Sequence, residues 1–218
     1  MERIPEPELM EQWEQARAYA LADFSEPHDA FVRHFQRLFP VFAQGRVIDL
    51  GCGAADVTIR FARAYPQSTL VGLDGAEAML QLGQEAVARA GLDSRIDLRQ
   101  LRLPAAGIGR DYDAVISNSL LHHLAEPATL WEAVARAARP SAPVLVMDLL
   151  RPASRDAALT LVRLHAAEAP PVLARDFFNS MLAAYRPDEV RKQLRAAGLM
   201  HLDVEIVSDR HWLVCGHV

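Results

Sequence analysis

The stretch Val47-Ile48-Asp49-Leu50-Gly51-Cys52-Gly53-Ala54-Ala55-Asp56 joins a short apolar run to a glycine turn and then to a helical pattern. Glycines in such a turn let the backbone approach a ligand closely and open a helix N-terminus, whose free N–H groups point outward. A dinucleotide fingerprint would read G-x-G-x-x-G or G-x-G-x-x-A. Gly51 and Gly53 supply its first two positions, but Asp56 stands at the third. A carboxylate there would face the pyrophosphate, so NAD and FAD are disfavoured. Asp49, two residues before the first glycine, can receive a ligand ammonium group directly or through water. Leu70-Val71-Gly72-Leu73-Asp74 places another acid at the end of the next apolar run. Such an acid can accept both hydroxyls of a ribose.

Other candidates follow further along. Ser117, Asn118 and Ser119 end another apolar run, and His122 and His123 come soon after. Histidine titrates near neutrality, so one of the pair could take a proton from a substrate. His122 is the preferred one. The alternative is that both pack against, or cap, the helix that follows, since adjacent side chains do not easily face the same way. Tyr19, Asp23, Phe24 and His28 form a further polar and aromatic group near the N-terminus. Asp148 and Arg151 close the fifth apolar run, where substrate contact and pairing are both open. No His, Cys, Asp or Glu spacing has metal-ligand character, so no metal is expected. Cys52 and Cys215 make neither a metal pair nor a disulfide framework, which suits a reducing, cytoplasmic setting.

Elements that could position these residues alternate regularly. Apolar runs at Arg46–Leu50, Thr69–Leu73, Arg95–Leu98, Ala114–Ser117 and Val144–Met147 read as strands. Helical patterns at 55–65, 76–90 and 128–138 lie between them. Strands apolar on both faces and separated by helices argue for a parallel sheet covered on both sides. Before this block, residues 1–44 read as a helical arm of two helices. Leu9, Trp13, Ala16 and Ala20 mark the first; Phe31, Phe35, Leu38, Phe39 and Phe42 mark the second. The break falls at Phe24-Ser25-Glu26-Pro27. After it, residues of about 153–186 read as a helical insertion, followed by a helix at 187–197. Strands at 201–207 and 211–216 are joined too tightly for anything but an antiparallel hairpin. The expected fold is α/β: a doubly wound, mostly parallel seven-stranded sheet with one antiparallel strand, N-terminal helices and a helical insertion after strand 5.

The chain has 218 residues, 51% of them hydrophobic and 23% charged, which excludes intrinsic disorder. Its apolar runs are far short of the roughly 20 residues of a membrane span. The acidic, proline-broken start Met1–Glu8 lacks a signal-peptide pattern. Lys plus Arg is 23 against Asp plus Glu 28, a net charge of -5, which weighs against a nucleic-acid partner.

Four segments in order resemble the class I S-adenosylmethionine (SAM)-dependent methyltransferases, with the ubiquinone/menaquinone type among the nearest. Val47–Ala55 resembles the family's first motif. Asp74-Gly75-Ala76-Glu77-Ala78-Met79-Leu80 is similar to the segment after its second strand. Tyr112–Leu124 resembles the fourth-strand motif, and Arg186–Val190 with Ala196–Leu199 the helix before the sixth strand. The resemblance implies methyl transfer from SAM to a small or medium-sized acceptor, with S-adenosylhomocysteine as product. It implies cofactor contacts at Tyr19, Asp49, Gly51, Gly53, Asp74, Gly75, Met79, Gln100, Leu101 and Asn118, with His122 as the catalytic residue. Residues 45–218 would form the methyltransferase domain, and the resemblance leaves room for a homodimer.

Three positions carry open questions. Ala55 stands where a third glycine is usual, which suits a negative φ. Gln100 falls where many members have an acid for the adenine amino group; its carbonyl can accept instead. Met79 could equally be helix core. Rival functions are RNA or protein methylation and a SAM-binding regulator without catalysis.

Overall fold

A computed structural model describes residues 1–6 and 12–218. Leu9, assigned above to the first helix, lies outside the described residues. The sheet runs β3-β2-β1-β4-β5-β7-β6. Its strands are β1 (Arg46–Leu50), β2 (Thr69–Asp74), β3 (Ile96–Gln100), β4 (Ala114–Asn118), β5 (Pro143–Leu149), β6 (Asp203–Ile206) and β7 (His211–His217). Neighbours pair in parallel from β3 to β5, and β7 is antiparallel to both β5 and β6. This is the expected fold. β1 sits centrally because Val47, Ile48 and Leu50 are apolar toward both faces, and all three are fully buried.

The helices are α1 (Trp13–Leu21), α2 (Ser25–Leu38), α3 (Asp56–Ala64), α4 (Glu77–Arg89), α5 (Ala128–Ala137), α6 (Arg155–His165), α7 (Pro171–Ala183) and α8 (Pro187–Ala196). On one face of the sheet Trp131, Val134, Val190 and Leu194 cover Ile48, Leu50, Val115 and Val144. On the other, Phe31, Phe35 and Phe61 cover Val47, Leu70, Ala114 and Leu145. Phe31 and Phe35 of α2 are fully buried there, so this part of the N-terminal arm belongs to the core.

Pro27 does not break α2 but sits in its first turn, where a missing N–H leaves no helix bond unmade. Asp23 Oδ1 instead accepts from the Ser25 amide at 2.9 Å, holding the turn between α1 and α2. The chain reverses direction across the sheet between β1 and β4, and this crevice outside the carboxyl ends of the strands is the usual ligand position in open α/β sheets. Residues 1–6 run over the insertion: the Ile4 amide donates to Leu182 O at 3.0 Å, and Arg3 Nε to Ala183 O at 2.5 Å.

Phe35 sits within 4.8–5.7 Å, centroid to centroid, of the rings of Phe39, Phe42, Phe61 and Tyr65. Phe35→Ala should therefore cost about 3–5 kcal/mol of stability, read from the urea midpoint at unchanged slope.

Candidate active site

The β1–α3 turn is tied to β2 by two amides, Gly51 N and Cys52 N, which donate to Leu73 O at 2.8 and 2.9 Å. Gly51 takes φ +75, and a Cβ there would meet the Leu120 side chain at 2.8 Å. Gly53 takes φ +52 and faces Met79 Cε, which a Cβ would approach to 3.1 Å. Both conformations favour glycine, and both positions lie on the crevice wall. Ala55 departs from expectation: its φ is +65, in the left-handed region. The turn imposes this conformation on an L-residue at a cost of about 1–2 kcal/mol. Its fully buried methyl repays part of that through core packing.

The crevice holds a cavity of about 240 Å³. Asp49, Gly51 and Gly53 line it from β1 and its turn, and Asp74, Gly75 and Met79 from β2 and α4. Asn118 closes it from β4, Leu101 from beyond β3, and Tyr19 from α1. Tyr19 packs on Phe24 at 4.7 Å between ring centroids, and burial pushes its phenol up to about 12. Nine of the eleven sequence-derived site residues thus converge on one space.

Gln100 and His122 are outside that lining. Gln100 is exposed and turns its Nε2 toward Gly75 O at 3.4 Å. Leu101 reaches the cavity with its side chain, but its amide donates to Asp74 O at 2.8 Å, continuing the β2–β3 ladder. That amide is therefore committed to the sheet. His122 is buried behind the wall, and His123 lines the cavity instead.

The two acids differ in environment. Asp49 is 1% exposed and accepts one hydrogen bond, from Thr58 Oγ1 at 2.6 Å. Burial pushes its carboxyl up to about 7. Asp74 Oδ2 accepts from Gly53 N at 2.9 Å, and Oδ1 from Ala76 N at 2.8 Å. Burial outweighs these bonds and leaves its carboxyl raised. Gly75 N also bonds this carboxylate, and the lone-pair capacity left over can take a ligand hydroxyl.

Asp56 meets His28 Nδ1 at 2.6 Å and Arg60 Nε at 2.9 Å, and Arg60 reaches on to Asp29 at 2.5 Å. Burial raises the Asp56 carboxyl, but the His28 and Arg60 bonds outweigh it and hold it low. These pairs fasten α2 beside the start of α3, along the cavity rim.

A second cluster stands at the other side. His122 and His123 lie in a 3-10 turn, Leu121–His123. Their rings stack at 4.1 Å, so adjacent histidines do face one way here, against expectation. Tight 3-10 winding and a shared carboxylate bring this about. Glu6 Oε1 lies 3.4 Å from His122 Nε2 and 3.3 Å from His123 Nδ1. His122 Nδ1 meets Asp148 Oδ1 at 2.5 Å. Burial works against charging His122, but Asp148 outweighs it and the imidazole is held above its ordinary value. Burial likewise opposes Asp148, and the His122 charge holds that carboxyl low. Glu6, His122 and His123 thus come together as ligand-type groups that their spacing in the sequence does not announce. Arg151, the other residue weighed after β5, pairs with Glu189 at 2.5 Å away from the cavity.

Sequence reasoning missed Glu6 and undervalued His123. Glu6 sits between two prolines in a segment without periodicity, so no local signal marked it. His123 could have been found from the short i, i+1 histidine pair had a 3-10 turn been considered.

SAM fits the residues present. Asn118 Oδ1 is buried with no hydrogen bond among the described residues, and Asp49 is buried without a cation. Asp49 and Asn118 lie at adjacent strand tips on the cavity wall, where one α-ammonium could reach both, and Asp74 lines the cavity from the strand on the other side of Asp49.

Asp49 yields a stability test. Its carboxyl rises from 3.8 to about 7 on folding, so the folded chain holds the extra proton in that window. The stabilisation is present below pH 4 and lost as pH rises through 7. Asp49→Asn should remove this loss and make the ligand-free protein more stable at pH 8 by about 2–4 kcal/mol. Denaturation at pH 5 and pH 8 checks it, with the variant's stability changing less between the two.

Residues 48–144 match the family model described as a methyltransferase domain. The chain is 33% identical over 113 residues to trans-aconitate 2-methyltransferase of Deinococcus radiodurans, covering 50% of this chain and 41% of that protein. It is 28% identical over 171 residues to the ubiquinone biosynthesis O-methyltransferase of Ruegeria pomeroyi, covering 74% and 62%. This chain thus spans less than two thirds of either relative. A solved SAM-dependent methyltransferase from Aquifex aeolicus shares the fold at TM-score 0.68 and 18% identity, covering 94% of this chain and 98% of that one. Residues 48–144 thus resemble a methyltransferase domain, and the seven-stranded order is the fold of the solved SAM-dependent methyltransferase.

Proposed function

We propose that the protein transfers a methyl group from SAM to a small-molecule acceptor bound beside His123. The observation that supports this most is a cavity lined at three neighbouring strand tips by buried Asp49, by Asp74, and by Asn118, whose Oδ1 has no hydrogen bond among the described residues. Asp49 and Asn118 would accept from the ammonium of the methionine part, and Asp74 from the ribose hydroxyls. Met79 and Leu101 offer an apolar slot for the adenine. SAM supplies a methyl carbon already activated as part of a sulfonium. The chain's task is then to hold an acceptor nucleophile in line with that carbon and to exclude water.

An acceptor hydroxyl must also lose its proton. The cavity side of the Glu6–His122–His123 cluster is the place we assign for this. His123 borders the acceptor, and His122 acts as a positioning residue held by Asp148. The catalytic role therefore belongs to the cluster rather than to His122 alone. Tyr19 and the 1–6 segment would shield the cavity from the solvent side. The relatives' printed names point to small acids and quinone precursors as acceptor classes. The net charge of -5 gives no support to an RNA acceptor.

Among the described residues no helix is long and apolar enough to cross a membrane. Cys52 and Cys215 are buried free thiols, which suits the cytoplasm we assign. The protein would work there as a monomer or a homodimer.

Two measurements test the reading. Asp74→Ala should weaken SAM binding about 5–150-fold by calorimetry, the loss of charge-assisted hydrogen bonds worth about 1–3 kcal/mol. Unchanged affinity in a folded variant would remove the ribose assignment. Release of S-adenosylhomocysteine should appear with a panel of small carboxylic acids and phenols, and not with RNA or protein. With the acceptor so found, Asp148→Asn should lower turnover about 10–100-fold while SAM affinity stays within about twofold. Binding of SAM with no turnover on any acceptor would favour a regulator.

A further inference from the structure

Glu6, His122 and His123 bring three ligand-type atoms to one point beside the cavity, all within 4.8 Å of one another, with His123 forming part of the cavity lining. Glu6 Oε1 is 3.4 Å from His122 Nε2 and 3.3 Å from His123 Nδ1. Tetrahedral bonds of about 2.0–2.1 Å, the lengths found for zinc, set neighbouring ligand atoms about 3.3–3.4 Å apart. Two of the separations therefore have the length that a shared ion would impose.

The supporting contacts are also those of a built site. Asp148 holds the opposite nitrogen of His122 at 2.5 Å, the arrangement that fixes tautomer and ring orientation in metal-bound histidines. Ser180 Oγ donates to Glu6 Oε1 at 2.9 Å. The side chains of His122 and Asp148 are 3% and 1% exposed, so the inner side is closed. His123 is 16% exposed and lines the cavity, so the outer side opens there. Two imidazoles and one carboxylate with a fourth position open is the donor set of catalytic rather than structural zinc. The carboxylates of Glu6 and Asp148 outnumber the nearby guanidinium of Arg3, which donates to His122 O at 2.9 Å. That surplus suits a divalent cation.

We propose that Glu6, His122 and His123 bind one divalent transition-metal ion of the zinc type, with its fourth position facing the acceptor. This rests on the reading of that wall as the place where the acceptor loses its proton, and it names the means: a Lewis acid in place of a free imidazole base. The acceptor class that follows is one offering an oxygen atom to the open position.

The test uses the chelator-treated full chain titrated with Co²⁺ alone, followed by optical spectroscopy. One equivalent should bind, with the intense visible bands of a four-coordinate site, and Zn²⁺ should displace it. His123→Ala and Glu6→Gln should each weaken Co²⁺ binding at least about tenfold, and Asp148→Asn about 10–100-fold. Glu6 lies on the strap outside the core, so Glu6→Gln keeps the test alive if a histidine variant does not fold. Absence of Co²⁺ binding, or binding equally tight in Glu6→Gln and His123→Ala, would overturn the proposal. SAM titrated into the same metal-free sample separates the two readings. SAM bound without Co²⁺ ends the metal site alone, and Co²⁺ bound without SAM ends the methyl-transfer reading and leaves the site standing.

Discussion

A carboxyl group buried at the tip of the central strand is the constraint around which the crevice is arranged. Asp49 is buried and satisfied by one hydroxyl, and burial, with the Asp74 charge adding to it, lifts the carboxyl to about 7 against the Thr58 bond. In water the same group would ionise freely, so the fold carries an electrostatic cost at this point. A bound cation offsets it. The site thus stores in the ligand-free protein an unmet demand for positive charge, and the ammonium of an amino-acid ligand is the natural group to meet it. Neighbouring features follow from giving such a ligand access. The turn after Asp49 must bend within a few residues, and its left-handed positions at Gly51, Gly53 and Ala55 do so. Asp74 then serves twice, holding that turn by accepting from Gly53 N and lining the cavity beside it.

The helices outside the sheet complete the enclosure. α2 reaches the core through its phenylalanines and the cavity rim through His28, which grips Asp56. One helix thereby couples folding to the site. The α6–α7 insertion does similar work at the acceptor side. Ser180 of α7 binds Glu6, Gln15 of α1 binds Asp176 at 2.8 Å, and the 1–6 segment lies along Leu182 and Ala183. The histidine wall is therefore assembled from four parts of the chain distant in sequence.

That assembly explains what could be read from the sequence and what could not. The parallel sheet was legible because β1, β2 and β4 are short apolar runs closed by a glycine, an acid or an asparagine. Asp49, Asp74 and Asn118 were legible because chemistry at strand tips is a local pattern. Gln100 at the end of β3 is exposed and stands outside the cavity lining, with its Nε2 on Gly75 O. Leu101 lines the cavity, while one more rung of the ladder uses its amide. Ala55 escaped because nothing in its residue type announces a positive φ. Glu6 was invisible: only tertiary packing of the N-terminal segment over α7 brings it to the histidines. The preference for His122 over His123 assumed that neighbours point apart, and a 3-10 turn turned both the same way.

The most direct measurement is a crystal structure with S-adenosylhomocysteine. Its amino group should lie within hydrogen-bonding distance of Asp49 and Asn118 Oδ1, its ribose hydroxyls on Asp74, and its sulfur toward His123. A ligand that stays out of the crevice at saturating concentration, or lies in it with the amino group away from Asp49, would contradict the account.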